Sequence, residues 1–156
     1  FQKYMEQISS TIKFNTAGQG FTDITAVVNR FIINNDFISG IIILNTLHTS
    51  CGLTINENAD PNVLKDLSNY IESIVPYNSY KDLSLEQNEN YYAHYQEGED
   101  DMPAHIKTAL TNNSLSLSFQ NQKLTLGNWQ SIYLWEHRFD RKERLINIHL
   151  IGEKRN

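Results

Sequence analysis

The stretch "LSLSFQNQKLTLGNWQSIYLWEHRFDRKERLINIHLIG", residues 115–152, decides the fold. Apolar and polar residues alternate in "LSLSF" (115–119), "KLTLG" (123–127), "SIYLWEH" (131–137) and "RLINIHLIG" (144–152), the period of two that a half-buried strand requires. "QNQ" (120–122) between the first two predicts a hairpin turn. Upstream, "YMEQISSTIKFN" (4–15) alternates more loosely and predicts another strand, broken by "GQG" (18–20).

Helical spacing appears between these strands. Ile24, Val27, Val28, Phe31 and Ile32 predict a helix from Phe21 to about Phe37, with Thr22 or Asp23 available as a cap. After Gly40, the β-branched run "IIILNTLH" (41–48) predicts a strand covered on both faces. Asp60-Pro61 starts a second helix, about 61–75, whose stripe is Val63, Leu64, Leu67, Ile71 and Ile74 and whose end is set by Pro76. Residues 77–101 are polar and tyrosine-rich and predict a long loop. A short helix then starts near Pro103, capped by Asp100 or Asp101. Strands and helices segregated in this way favour an α+β fold, and 156 residues suit a single domain spanning 1–156.

The bulk chemistry narrows the function classes. Thirteen basic against 18 acidic residues argue against a phosphate-tracking surface, so no nucleic-acid partner is expected. Cys51 is the sole cysteine, which excludes an intrachain disulfide and suits a reducing compartment. No apolar run approaches a membrane span and "FQKYMEQISS" is unlike a signal segment, so the expectation is a cytoplasmic protein with no membrane partner.

Several residues carry chemistry. His48 shares a strand face with Ile42, Leu44 and Thr46, and "HTSCGLTINE" after it gathers Thr49, Ser50 and Glu57 at the strand exit. A histidine in that position is more often a hydrogen-bonded core residue than a ligand. Glu136 lies on an apolar face with Ile132 and Leu134, so it requires a partner: an ion pair with Arg141 or Arg144, or a pocket it faces. His149 reads as exposed, and "DRKER" (140–144) as a charged turn. His48, His94 and His105 form a candidate zinc set, although their spacing matches no compact zinc motif. On one continuous helix His94 and His105 would stand roughly 16 Å apart, so the acid-rich residues between them must fold back. Nearby acids could hold magnesium instead.

"HTSCGLTINENADPNVLKDL" (48–67), "HYQEGEDDMPAHIKTAL" (94–110) and "LTLGNWQSIYLWEHRFDRKERLINIHLIGE" (124–153) together resemble the YjbQ family, described as secondary thiamine-phosphate synthase enzymes. The resemblance implies a two-sheet β-sandwich with flanking helices, assembled as a homotrimer. It also implies joining of hydroxymethylpyrimidine diphosphate to hydroxyethylthiazole phosphate, with loss of pyrophosphate. On this reading Arg141, in a turn that departs from the family's "DGPR"-like pattern, and Arg144 grip phosphate, with Thr49 and Ser50 as further donors. Asp100, Asp101 and Glu57 hold a divalent ion, zinc or magnesium, or orient His48 and His105. Two alternatives keep the same residues. One is a metal-dependent hydrolase with Glu57 or Glu136 as general base, and the other a non-catalytic trimer that binds a phosphorylated metabolite.

Overall fold

The computed structural model describes residues 4–81 and 89–155, so residues 82–88 of the expected loop lie outside the described residues. The elements run β1 (Met5–Asn15), β2 (Gly20–Asp23), α1 (Thr25–Asn34), β3 (Phe37–Thr46), β4 (Cys51–Glu57), α2 (Pro61–Ile74), β5 (Ser79–Lys81), β6 (Glu89–Tyr91), α3 (Asp101–Leu110), β7 (Ser114–Gln120), β8 (Lys123–Leu124), β9 (Gln130–Glu136) and β10 (Glu143–Lys154). The fold is α+β. The sheets are antiparallel throughout: five strands ordered β1-β10-β3-β7-β8, three ordered β2-β9-β4, and the small hairpin β5-β6.

The alternation read from residues 115–152 becomes register. Leu115, Leu117 and Phe119 pair with Leu44, Ile42 and Gly40, and Ile146, Ile148 and Leu150 pair with Thr46, Leu44 and Ile42. Those apolar positions therefore share one face. They join Leu53, Ile132 and Leu134 of the second sheet and Ile24, Val28 and Ile32 around α1 in one core. The expected turn is present: Asn121 and Gln122 both adopt positive φ, 51° and 63°, the conformation of a two-residue hairpin whose twist matches its strands.

The structure departs from expectation at several points. The helix predicted over 21–37 is only α1, because Phe21–Asp23 pair with Tyr133–Trp135 and the Phe21 ring stacks on Trp135 with centroids 4.5 Å apart. At its other end Asp36 turns into the left-handed region, φ 59°, and Phe37 opens β3. The expected cap at Thr22 or Asp23 is corrected as well: Ile24 takes the N-cap position with no side-chain capping bond, and the Asp23 carboxylate accepts the Thr25 N–H at 2.9 Å from one residue further out. The strand predicted over 41–48 is covered on one face only: Ile42 and Leu44 are fully buried, whereas Ile41 and Ile43 are 51% and 38% exposed in the single chain. The 77–101 segment is not wholly loop, since it contributes β5 and β6. No helix among the described residues is long and apolar enough to cross a membrane.

Candidate functional site

Two ionic constellations meet near the end of β9. The first is buried. Glu136, 1% exposed, receives Arg144 Nε at 2.8 Å on Oε1 and Arg144 Nη2 on Oε2. Thr16 Oγ1 donates to Oε1 at 2.8 Å, and the backbone N–H of His137 to Oε2 at 3.1 Å. Arg144 Nη2 also donates to the Ser50 hydroxyl at 2.8 Å and the Ser50 carbonyl at 3.2 Å. Burial opposes the Arg144 charge, but the bonds to Glu136 outweigh it and the net shift is upward. Both groups are consumed by each other. This corrects Glu136 as a general base, and Arg144 and Ser50 as substrate contacts.

The second constellation is partly exposed and rests on α3 and the loop before it. Gly98, with φ 111°, turns that loop so that the Glu97 carbonyl accepts from Arg138 Nη2 at 2.9 Å; a Cβ there would stand 3.1 Å from an Asp100 carboxylate oxygen. Arg138 Nε donates to Asp100 Oδ2 at 3.0 Å, and the Phe139 N–H to the same oxygen at 2.7 Å. Asp100 thus sits at the helix cap without a capping bond of its own. Arg138 Nη1 donates to Asp101 Oδ1 at 2.5 Å, which leaves Oδ2 facing two imidazoles. His94 Nε2 lies 2.6 Å from Oδ2 and His105 Nε2 lies 3.2 Å from it.

The His105 tautomer follows from its other nitrogen. Nδ1 stands 2.9 Å from the Thr49 carbonyl, which can only accept, so Nδ1 carries the hydrogen and a neutral ring turns its Nε2 lone pair toward Asp101. His94 Nε2, Asp101 Oδ2 and His105 Nε2 therefore form a cluster of donor atoms all within 4.8 Å of one another. Such a trio takes up protons or a cation. Burial alone would raise the pKa of Asp101, but the bond with His94, the charge His105 carries when its ring is protonated, and the Arg138 charge hold it below the usual range.

The remaining candidates fall elsewhere. His48 is not part of the trio: its Nε2 accepts the Leu145 N–H at 2.7 Å, so that lone pair is committed, and burial followed by the Arg144 charge lowers its pKa. The donor atoms that come together are therefore those of two histidines and Asp101, and not those of the expected three histidines. Glu57 ends β4 at the far side from Cys51, six residues or roughly 20 Å along the strand, where its carboxylate accepts the Asp60 N–H at 2.9 Å. Arg141 is exposed and faces a different cleft, formed with Asn15, Thr16 and Ala17. Thr49 contributes its carbonyl to His105. Asp100 is spoken for by Arg138 and Phe139, and the buried Cys51 thiol is pushed up to about 11 by burial. Arg138 is the residue that sequence reading missed. The only signal was its place one residue past "EH" at a strand end, opposite no visible partner.

An α+β protein of antiparallel sheets with an N,O-ligand cluster beside a helix start is the class that the geometry defines. The chain belongs to the YjbQ-like UPF0047 family, whose profile matches residues 10–153. A UPF0047 protein of Synechocystis sp. is 36% identical over 138 residues, 88% of this chain and 87% of that one. The YjbQ protein of Salmonella typhimurium is 41% identical over 115 residues, 74% and 75% of the two chains. A solved YjbQ/UPF0047 structure from Clostridium acetobutylicum superposes with a TM-score of 0.70 at 29% identity, covering 92% of this chain and 98% of that one. A YbjQ-like protein of unknown function from Sulfolobus solfataricus, at 22% identity, shares the fold with a TM-score of 0.78 over 96% and 100% of the chains.

Proposed function

We propose that the protein is a metal-dependent thiamine-phosphate synthase, with a divalent ion held by His94 Nε2, Asp101 Oδ2 and His105 Nε2. The observation that carries this reading is the convergence of those three atoms within 4.8 Å, with the other Asp101 oxygen tied to Arg138. Two imidazoles and one carboxylate suit zinc better than magnesium, which prefers oxygen ligands.

The charge balance explains why an ion is needed for diphosphate chemistry. Arg144 is neutralised by Glu136 and Arg138 by Asp100 and Asp101, while Glu97 lies 3.2 Å from His94. The site's own charges would repel a diphosphate. The bound ion would supply positive charge for the departing pyrophosphate. The thiazole nitrogen forms the new bond to the pyrimidine methylene as the carbon–oxygen bond to diphosphate breaks. Arg138 fixes Asp101, and the Thr49 carbonyl fixes His105 in the ligand tautomer.

The working unit is proposed to be a homotrimer of two-sheet sandwiches. The exposed Ile41, Ile43 and Ile151 on the outer face of the five-stranded sheet support an assembly that covers them. A hydrolase is the second reading, favoured by Glu97, whose exposed carboxylate lies 3.2 Å from His94 Nε2 and so stands beside the proposed ion, placed to act as a base.

The test is thiamine phosphate formation from the two phosphorylated precursors after chelation and metal return. Activity should disappear with chelator, return with zinc more than with magnesium, and fall on the order of 10²-fold in Asp101→Asn. Pyrophosphate or phosphate release without the thiazole substrate would favour the hydrolase. Turnover that ignores chelator would overturn the metal assignment.

A further inference from the structure

A cavity of about 250 Å³ lies between α2, α3 and the end of β9, and it shares no residue with the His94, Asp101 and His105 trio. Its apolar wall is Ile71 and Trp135, the latter backed by the stacked Phe21 ring. Glu72, Lys107 and His137 supply polar groups, and Gln19, Ser68 and Asn69 stand at its rim.

Two of these side chains are unusual. Lys107 is 1% exposed, a burial that lysine almost never reaches without a partner. Its ammonium pairs with the Glu72 carboxylate, lies 3.5 Å from the Tyr77 hydroxyl and 5.4 Å from that ring's centroid. The Tyr77 hydroxyl donates to Glu72 as well; burial first, and then that bond, push its pKa up to about 12, so it stays protonated. Gln19 Nε2 closes the network, with Glu72 at 3.2 Å and Tyr77 at 3.1 Å. His137 is also 1% exposed, and its Nε2 has no hydrogen-bond partner among the described residues. Burial, then the charges of Lys107 and Arg144, push it down to about 3, so the ring is neutral.

The cavity therefore has hydrogen-bonding capacity without net charge. Lys107 and Glu72 cancel, as do Arg144 and Glu136 behind them. An anion would meet two carboxylates with no surplus cation, and a cation would meet two paired bases with no surplus acid. An aromatic wall and a volume of about 250 Å³, just below the roughly 300 Å³ at which pockets for drug-sized ligands begin, admit a single ring. We infer that this cleft is a second ligand site for a small uncharged planar molecule with an amide-like edge, which stacks on Trp135 and bonds to Lys107 and His137.

Nicotinamide is the probe. The chain has two tryptophans, and Trp129 is exposed, so Trp129→Phe leaves Trp135 as the sole reporter. Titration of that variant should give saturable quenching at millimolar or lower concentration, unchanged by chelator. Lys107→Met should weaken it about tenfold or more, the loss of a hydrogen bond to a charged group. Ser68→Phe, on the partly exposed face of α2, fills the mouth without touching the core and should abolish it. Absence of saturation, or equal quenching with Ser68→Phe, would overturn the site. Benzoate binding as tightly as nicotinamide would overturn the uncharged-ligand assignment. Because the readout ignores the metal, failure here and failure of the synthase reading are separable.

Discussion

The pair Glu136–Arg144 and the trio His94, Asp101 and His105 use similar side chains to opposite ends. In the pair, Thr16, Ser50 and backbone N–H groups occupy the remaining valences, and the whole is sealed between strands. In the trio, one Asp101 oxygen is tied down, and the other is left facing two ring nitrogens at a surface where His94 is 45% exposed. Saturation marks a constellation that holds the fold. Directed incompleteness marks one that is open to a ligand.

Substitutions break this contrast in a definite order. Glu136→Ala leaves Arg144 buried without its counter-charge and should destabilise the chain by about 3–5 kcal/mol in chemical denaturation. Replacing both with apolar residues of similar volume should recover most of that loss, because no orphan charge remains. Arg138→Ala sits between the two cases. Freed of their guanidinium, Asp100 and Asp101 should cost about 1–3 kcal/mol, and zinc affinity should fall about 10–100-fold as Asp101 loses its orientation. His94→Ala should change stability by less than about 1 kcal/mol, since the ring is half exposed, while still removing a proposed ligand.

Acid sharpens the contrast in another way. His137 is held to about 3 in the folded chain against 6.5 unfolded. Its folded pKa is depressed, so the unfolded chain binds the extra proton. The stabilisation is present above pH 6.5 and is lost as pH falls toward about 3, by up to about 1.4 kcal/mol per pH unit. Denaturation midpoints measured across that window should fall with acid, and His137→Asn should flatten the slope.

What could be read from sequence followed the range of the forces involved. The period-two runs, the Asp60-Pro61 start of α2, where Asp60 accepts from the Asn62 N–H at 2.9 Å, and the "QNQ" hairpin are local matters of backbone and alternation. Phe21–Asp23 misled because their helical spacing competes with pairing to β9, a tertiary contact across more than a hundred residues. Glu136 was correctly read as needing a partner, but the choice between Arg141 and Arg144 depends on strand register. Arg144 leads into β10 beside Glu136, whereas Arg141 remains in the turn. The site was half legible: His94, Asp101 and His105 were all singled out. Asp101, and not His48, completes the cluster with the two histidines, because a backbone N–H, invisible in composition or spacing, captures His48. Arg138 went unseen for the same reason, since its three partners lie about forty residues upstream.

Metal content tests the central claim most directly. Purified chain, stripped with chelator, is titrated with zinc by calorimetry, and the Asp101→Asn, His105→Ala and His48→Ala variants are run in parallel. One zinc per chain is expected for the parent and for His48→Ala, with binding lost in the other two. No binding by the parent, or binding that survives loss of Asp101 and His105 but not of His48, would contradict the account.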